Sequence, residues 1–169
     1  MATVTLKGNP IHTSGTLPNV GTKAKPFTLV NTDLQTIKLE DYKGKKLVLN
    51  IFPSIDTGTC AQSVRTFNKA AADFENTKVL CISRDLPFAQ SRFCGAEGIQ
   101  NVDMLSDYAT NQFGKDYGLD MIDGPLSNLH SRAVVVLDSS GNIVHTEQVA
   151  EIVDEPNYNK ALDALKSSN

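Results

Sequence analysis

Lys46-Leu47-Val48-Leu49-Asn50-Ile51-Phe52-Pro53-Ser54-Ile55-Asp56-Thr57-Gly58-Thr59-Cys60 decides how this chain folds. Its first seven residues are mostly apolar with little alternation, which predicts a strand buried on both faces. Pro53 forbids smooth continuation of that strand, so the chain turns through 54–59. From Cys60 onward, Val64, Phe67, Ala71 and Phe74 recur at spacings of three and four, placing them on one face of a helix. Thr57 or Thr59 can cap that helix.

Working outward, Val79–Ser83 repeats the buried-strand pattern, 87–95 reads as a short helix with Pro87 near its start and Gly95 at its end, and 102–105 is a third strand. A helix is expected over 108–117, stopped by Gly118. The segments 132–137 and 143–149 flank Asp138-Ser139-Ser140-Gly141-Asn142, a strong hairpin signal, and a last helix covers 157–165. Upstream, Val4–Leu6 and Ile11–His12 enclose Lys7-Gly8-Asn9-Pro10, an N-terminal β-hairpin that caps the main domain, and 26–30 pairs with 37–39. Helices interleaved with buried strands and a late hairpin make this an α/β protein with a mixed central sheet.

The 169 residues, 40% of them hydrophobic, suit one domain spanning 1–169 with one substantial core. Sixteen basic and nineteen acidic residues are spread without like-charge blocks, which recommends neither nucleic acid nor membrane as a partner. The first residues carry no basic and long apolar signal segment, so a cytoplasmic location is expected.

Three scattered cysteines are too few for a structural disulfide framework, and the odd number leaves one thiol over. Cys60 falls in the first turn of its helix, where free amide N–H groups and the helix dipole favour a thiolate; such positions lower a thiol pKa from about 8.5 toward roughly 3.5–7.5. An isolated cysteine there is otherwise often a small core residue. Cys81, inside Val-Leu-Cys-Ile-Ser, reads as buried filler. Cys94 sits in a polar helix with Arg92 close enough in sequence to favour its thiolate. A disulfide between Cys60 and Cys94, 34 positions apart, would restrict the unfolded chain by about 4 kcal/mol. Its geometry requires local unwinding of one or both helices.

Pro53-Ser-Ile-Asp-Thr57-Gly-Thr-Cys60 matches the Pro-x-x-x-Thr-x-x-Cys signature of peroxiredoxins. With the Ser83–Gly98 segment around Cys94, Asp123-Gly-Pro-Leu and Arg132-Ala-Val-Val-Val-Leu-Asp, the whole chain resembles the bacterial thiol peroxidase family, the atypical two-cysteine branch of the peroxiredoxins. That resemblance implies a thioredoxin-like sandwich with an N-terminal hairpin extension. It implies Cys60 as the peroxidatic nucleophile, Cys94 as the resolving cysteine of the same subunit, recycling by thioredoxin, and a homodimer. Hydrogen peroxide and organic hydroperoxides are the implied substrates.

Attack of a thiolate on a peroxide moves negative charge along S–O–O, and the site has to stabilise it. Arg132 is the candidate cation, its guanidinium offering several fixed donors, although an arginine at a strand start is otherwise a surface charge. Thr57 can aim its hydroxyl at the sulfur and a peroxide oxygen, or simply cap the helix. Pro53 walls the pocket and holds water away. The chemistry calls for no metal, haem or flavin, and His12, His130 and His145 show no metal-ligand spacing. A thiol-disulfide oxidoreductase is disfavoured because Thr57 stands where Cys-x-x-Cys would place its partner thiol. A redox sensor, in which the Cys60–Cys94 disulfide switches a binding surface, is the rival from another class, standing alone or as a second role.

Overall fold

In the computed structural model, which describes residues Met1–Ser168, the stretch Lys46–Ile51 forms β5 at the middle of the molecule. Its neighbours are β6 (Thr77–Ser83), parallel to it, and β8 (Ala133–Leu137), antiparallel. With β3 (Thr28–Asn31), β4 (Thr36–Lys38), β7 (Val102–Ser106) and β9 (Ile143–Gln148), they form a seven-stranded mixed sheet in the order β4-β3-β7-β6-β5-β8-β9.

The continuous apolar reading of β5 has a two-faced cause. Leu47, Leu49 and Ile51 pack on one side with Phe27, Tyr42, Phe113 and Tyr117. Val48 packs on the other with Val64 and Phe67 of α1 (Gly58–Ala71), Phe93 of α2 (Pro87–Glu97) and Ala161 and Leu165 of α4 (Tyr158–Ser167). A sheet covered on both faces can spend apolar residues on successive positions, which is why alternation is absent. The result is the expected thioredoxin-like sandwich. No helix among the described residues is long and apolar enough to cross a membrane.

Two helix expectations shift. The helix expected over 108–117 is confined to α3, Gln112–Asp116. Asn111 takes a left-handed conformation (φ 56°), and the Asp107 carboxylate accepts hydrogen bonds from the N–H groups of Phe113 and Gly114, so a helix cannot begin before that point. The helix holding Cys94 runs past Gly95 to Glu97. It ends at Gly98, whose φ of 67° makes it the residue that supplies a left-handed cap.

The N-terminal hairpin is β1 (Thr3–Leu6) paired with β2 (Asn9–His12), with Lys7 (φ 52°) and Gly8 (φ 82°) both left-handed in the turn. Val4 and Ile11 bury against Met121 and Ile152. One carboxylate locks it down: Glu151 accepts from Thr5 Oγ1 (2.7 Å), the Lys7 N–H (2.9 Å) and the Gly8 N–H (3.0 Å). The Thr5 hydroxyl and these amides hold the Glu151 carboxyl down to about 2. A folded-state pKa below the unfolded value means that the charged form stabilises the fold above pH 4.5, and that this is lost as pH falls through about 2. Glu151→Gln is therefore expected to unfold at a lower temperature than wild type near neutral pH, with the difference shrinking below pH 4.5. An undiminished difference at the acid end in thermal melts would show that the charge is not the cause.

Candidate active site

Cys60 is the third residue of α1, which opens at Gly58 after Thr57 in an extended conformation. Its side chain is fully buried at 0% exposure. The helix start is tied to β5 from below: Asn50 Nδ2 donates to Ser63 Oγ (3.1 Å), and Ser63 Oγ donates to the Cys60 carbonyl (2.7 Å). Asn50 and Ser63 thus fix the height of the first turn, so the sulfur cannot drift relative to the strand.

Arg132, immediately before β8, is 2% exposed and points its Nη2 at Cys60 Sγ, 3.2 Å away. Its Nε donates to the Ile152 carbonyl at 2.9 Å, fixing the plane of the guanidinium. Nη1 donates to no atom of the described residues, although it is buried. A buried cation with one arm on the sulfur, one on the backbone and one unused beside them is arranged to receive an additional acceptor. The same carbonyl-bearing segment reaches the helix as well, because Thr59 Oγ1 donates to the Val153 carbonyl (2.9 Å).

The turn from strand to helix is organised by Asp85. Its carboxylate accepts from Ser54 Oγ (2.7 Å), the Ile55 N–H (2.7 Å) and Ser83 Oγ (2.6 Å). Pro53 is buried in this turn. Thr57 occupies the N-cap position, but its side chain makes no capping bond and its hydroxyl donates to the Ser54 carbonyl at 3.0 Å. The cap expected of it is absent, and an exposed Thr57 stands at the mouth of the turn.

Cys81 lies in β6 beside Asn50, fully buried, and burial pushes its thiol up to about 12. That matches the expected inert filler. Cys94 is half-buried near the C-terminal end of α2, packed against the same layer that holds Cys60, and burial raises its thiol pKa. Arg92 does not serve it. Residues two apart on a helix point to different sides, and Arg92 pairs with Asp56 at 2.6 Å. A second exposed pair, Arg65 with Glu97 at 2.9 Å, joins α2 to α1. All three cysteines are free thiols, each held in its own element.

The histidines take packing and surface roles. His130 is buried against Asp107 (2.9 Å), and His12 pairs with Asp123 (2.6 Å). Residues that sequence reasoning missed are Asp85, Asn50, Ser63 and Ile152. Three of them act through ordinary polar side chains and one through a backbone carbonyl, none of which forms a recognisable spacing.

A buried cysteine at a helix start, facing a buried arginine on a thioredoxin-like sheet, defines the class of thiol-based redox proteins. The family model described as Redoxin matches residues 19–162, and the chain belongs to that family. Thiol peroxidases of Mycobacterium bovis and Mycobacterium tuberculosis are each 53% identical over 165 residues, covering 98% of this chain and 99% of their own length. Among solved structures, a peroxiredoxin-like protein from Aquifex aeolicus superposes with a TM-score of 0.92 at 37% identity, covering 98% of this chain and 96% of that one. A thiol peroxidase from Chromobacterium violaceum, 21% identical, shares the fold with a TM-score of 0.90, covering 97% and 95%. The resemblance read from the Pro53–Cys60 motif thus holds along the whole chain, and these relatives support a thiol peroxidase function.

Proposed function

We propose that the protein reduces hydrogen peroxide and organic hydroperoxides through Cys60 and is regenerated through Cys94 and thioredoxin. The observation that carries this is the Arg132 guanidinium, buried against Cys60 Sγ at 3.2 Å with Nη1 unused beside it. Nη2 stabilises the thiolate. On this reading Nη1 is the donor left for a peroxide oxygen, and the Thr57 hydroxyl, at the mouth of the turn, exchanges its bond to the Ser54 carbonyl for a second one. The thiolate attacks one peroxide oxygen, the O–O bond breaks, and the other oxygen leaves as alkoxide or hydroxide that takes a proton from water. A protonated Cys60 sulfenic acid remains.

Cys94 then displaces hydroxyl from the sulfenic sulfur, giving a Cys60–Cys94 disulfide and water. As a helical, half-buried thiol with its pKa raised, it first has to leave its place in α2, whose ties to the active-site turn and to α1 are exposed ion pairs worth little each. Two electrons from the thioredoxin dithiol restore both thiols. No bound cofactor is needed, and a cytoplasmic location fits a disulfide that must be reduced again each cycle. Leu86, Phe88 and Tyr108 are large apolar side chains left exposed around the start of α2 and the end of β7, and a homodimer contact on this side would cover them.

Thioredoxin-coupled peroxide consumption by wild type, Cys81→Ser and Cys94→Ser tests the scheme. Cys81→Ser is expected to turn over normally. Cys94→Ser should consume one equivalent of peroxide and then stall, with a single oxygen added by mass spectrometry. Sustained thioredoxin-dependent turnover by Cys94→Ser would rule out the intrasubunit disulfide. A redox-sensor role would show instead as an oxidisable Cys60–Cys94 pair in a protein that thioredoxin does not turn over.

A further inference from the structure

We propose that a cleft at the opposite end of the sheet from Cys60 binds an amphipathic organic anion, with an aliphatic or aromatic body and a carboxylate or sulfonate head. The cleft is about 650 Å3 in volume and is bounded by β3, β4, the single 3-10 turn Leu39–Tyr42, the start of β5 and the β8–β9 turn. That volume lies in the range of small-molecule sites. From Leu47 in its floor, β5 runs six residues before reaching Pro53, about 20 Å of strand, so this is a separate site from the peroxide pocket.

The floor is apolar. Phe27, Leu47 and Leu137 line it, and each belongs to the core cluster on that face of the sheet, so a ligand there would rest on the hydrophobic core itself. The rim is basic. Four lysines line the cleft against two carboxylates, in a chain whose net charge is −3. Of the carboxylates, Asp138 is already engaged by the N–H groups of Ser140 and Asn142 and by Asn142 Nδ2. Of the lysines, Lys23 donates to the Ser140 carbonyl. Lys38, Lys43 and Lys45 make no ion pair and no ammonium hydrogen bond among the described residues; Lys38 ends β4, and Lys43 and Lys45 lie in the short connection from it to β5. Unpaired cations above an apolar floor are complementary to a ligand that is apolar along its body and anionic at one end. A neutral apolar molecule would use the floor alone, and a cationic one would meet the lysines.

Dodecanoate, titrated below its micelle concentration into the full chain labelled for amide NMR, reads this directly. Saturable shifts are expected at Thr28, Leu39, Gly44 and Leu137, with the amides around Cys60 and Arg132 unmoved. Lys43→Glu/Lys45→Glu should weaken binding about tenfold, the effect of reversing two exposed charges at the rim. Ala24→Trp, which fills the cleft, should abolish it. Unchanged peroxide consumption in these variants controls for folding. Non-saturating shifts, shifts centred elsewhere, equal affinity for dodecyltrimethylammonium, or undiminished binding by the Lys43/Lys45 double variant would each overturn the proposal.

Discussion

Cys60→Ser is expected to reduce peroxide consumption to the rate of buffer alone while leaving the fold intact. The hydroxyl that replaces the thiol is a poor nucleophile without a general base, and no histidine stands beside it; the described histidines lie against Asp107, against Asp123 or on β9. The serine oxygen can still accept from Arg132 Nη2, so the buried cation keeps a partner and the thermal midpoint should move little. Residual turnover above background with thioredoxin present would mean that the nucleophile lies elsewhere.

Arg132→Lys should slow the oxidation of Cys60 by roughly 10²–10³-fold, the usual loss when a fixed donor to developing negative charge is removed. Charge is retained in this variant, and geometry is what disappears. One ammonium cannot reproduce the planar fork in which Nε holds the Ile152 carbonyl, Nη2 meets the sulfur and Nη1 is left without a partner for an incoming oxygen. Stopped-flow measurement of the first oxidation isolates this step from recycling. An unchanged rate constant would reduce Arg132 to a structural counter-charge.

The parts of the fold that were legible are those whose composition has a single physical cause. Runs such as Leu47–Ile51 and Ala133–Leu137 have to be covered on both sides, and the turns at Gly8 and Gly141 need the positive φ that they show. Cys81 was legible for the same reason. The helix over 108–117 was overdrawn because Asn111 turns left-handed and the Asp107 carboxylate takes the N–H groups of Phe113 and Gly114, so that the helix starts only at Gln112. Gly95 looked like a stop because glycine often is one, yet only Gly98 adopts the left-handed conformation that ends α2.

In the candidate site, the position of Cys60 after a buried strand left it open as a core residue until the Pro53–Cys60 motif was read, and Arg132 became a candidate only through the family resemblance. Its partner in orientation, the Ile152 carbonyl, carries no side-chain signature at all. Asp85 escaped notice because a carboxylate two residues beyond a strand is common. What singles it out is that three donors converge on it, two from the turn after β5 and one from the end of β6.

The Ile152 carbonyl that orients Arg132 belongs to a residue whose own N–H donates to the Thr5 carbonyl, so the first strand of the chain, its last third and the nucleophile between them meet at one guanidinium. Synthesis proceeds from the N-terminus, so Cys60 leaves the ribosome well before Arg132 and Ile152 do. Until the late segments close back over the early ones, the sulfur has no cation beside it and is one more thiol. If Cys60 and Arg132 act as proposed, the reactivity of Cys60 toward peroxide is in this sense a property of the finished chain.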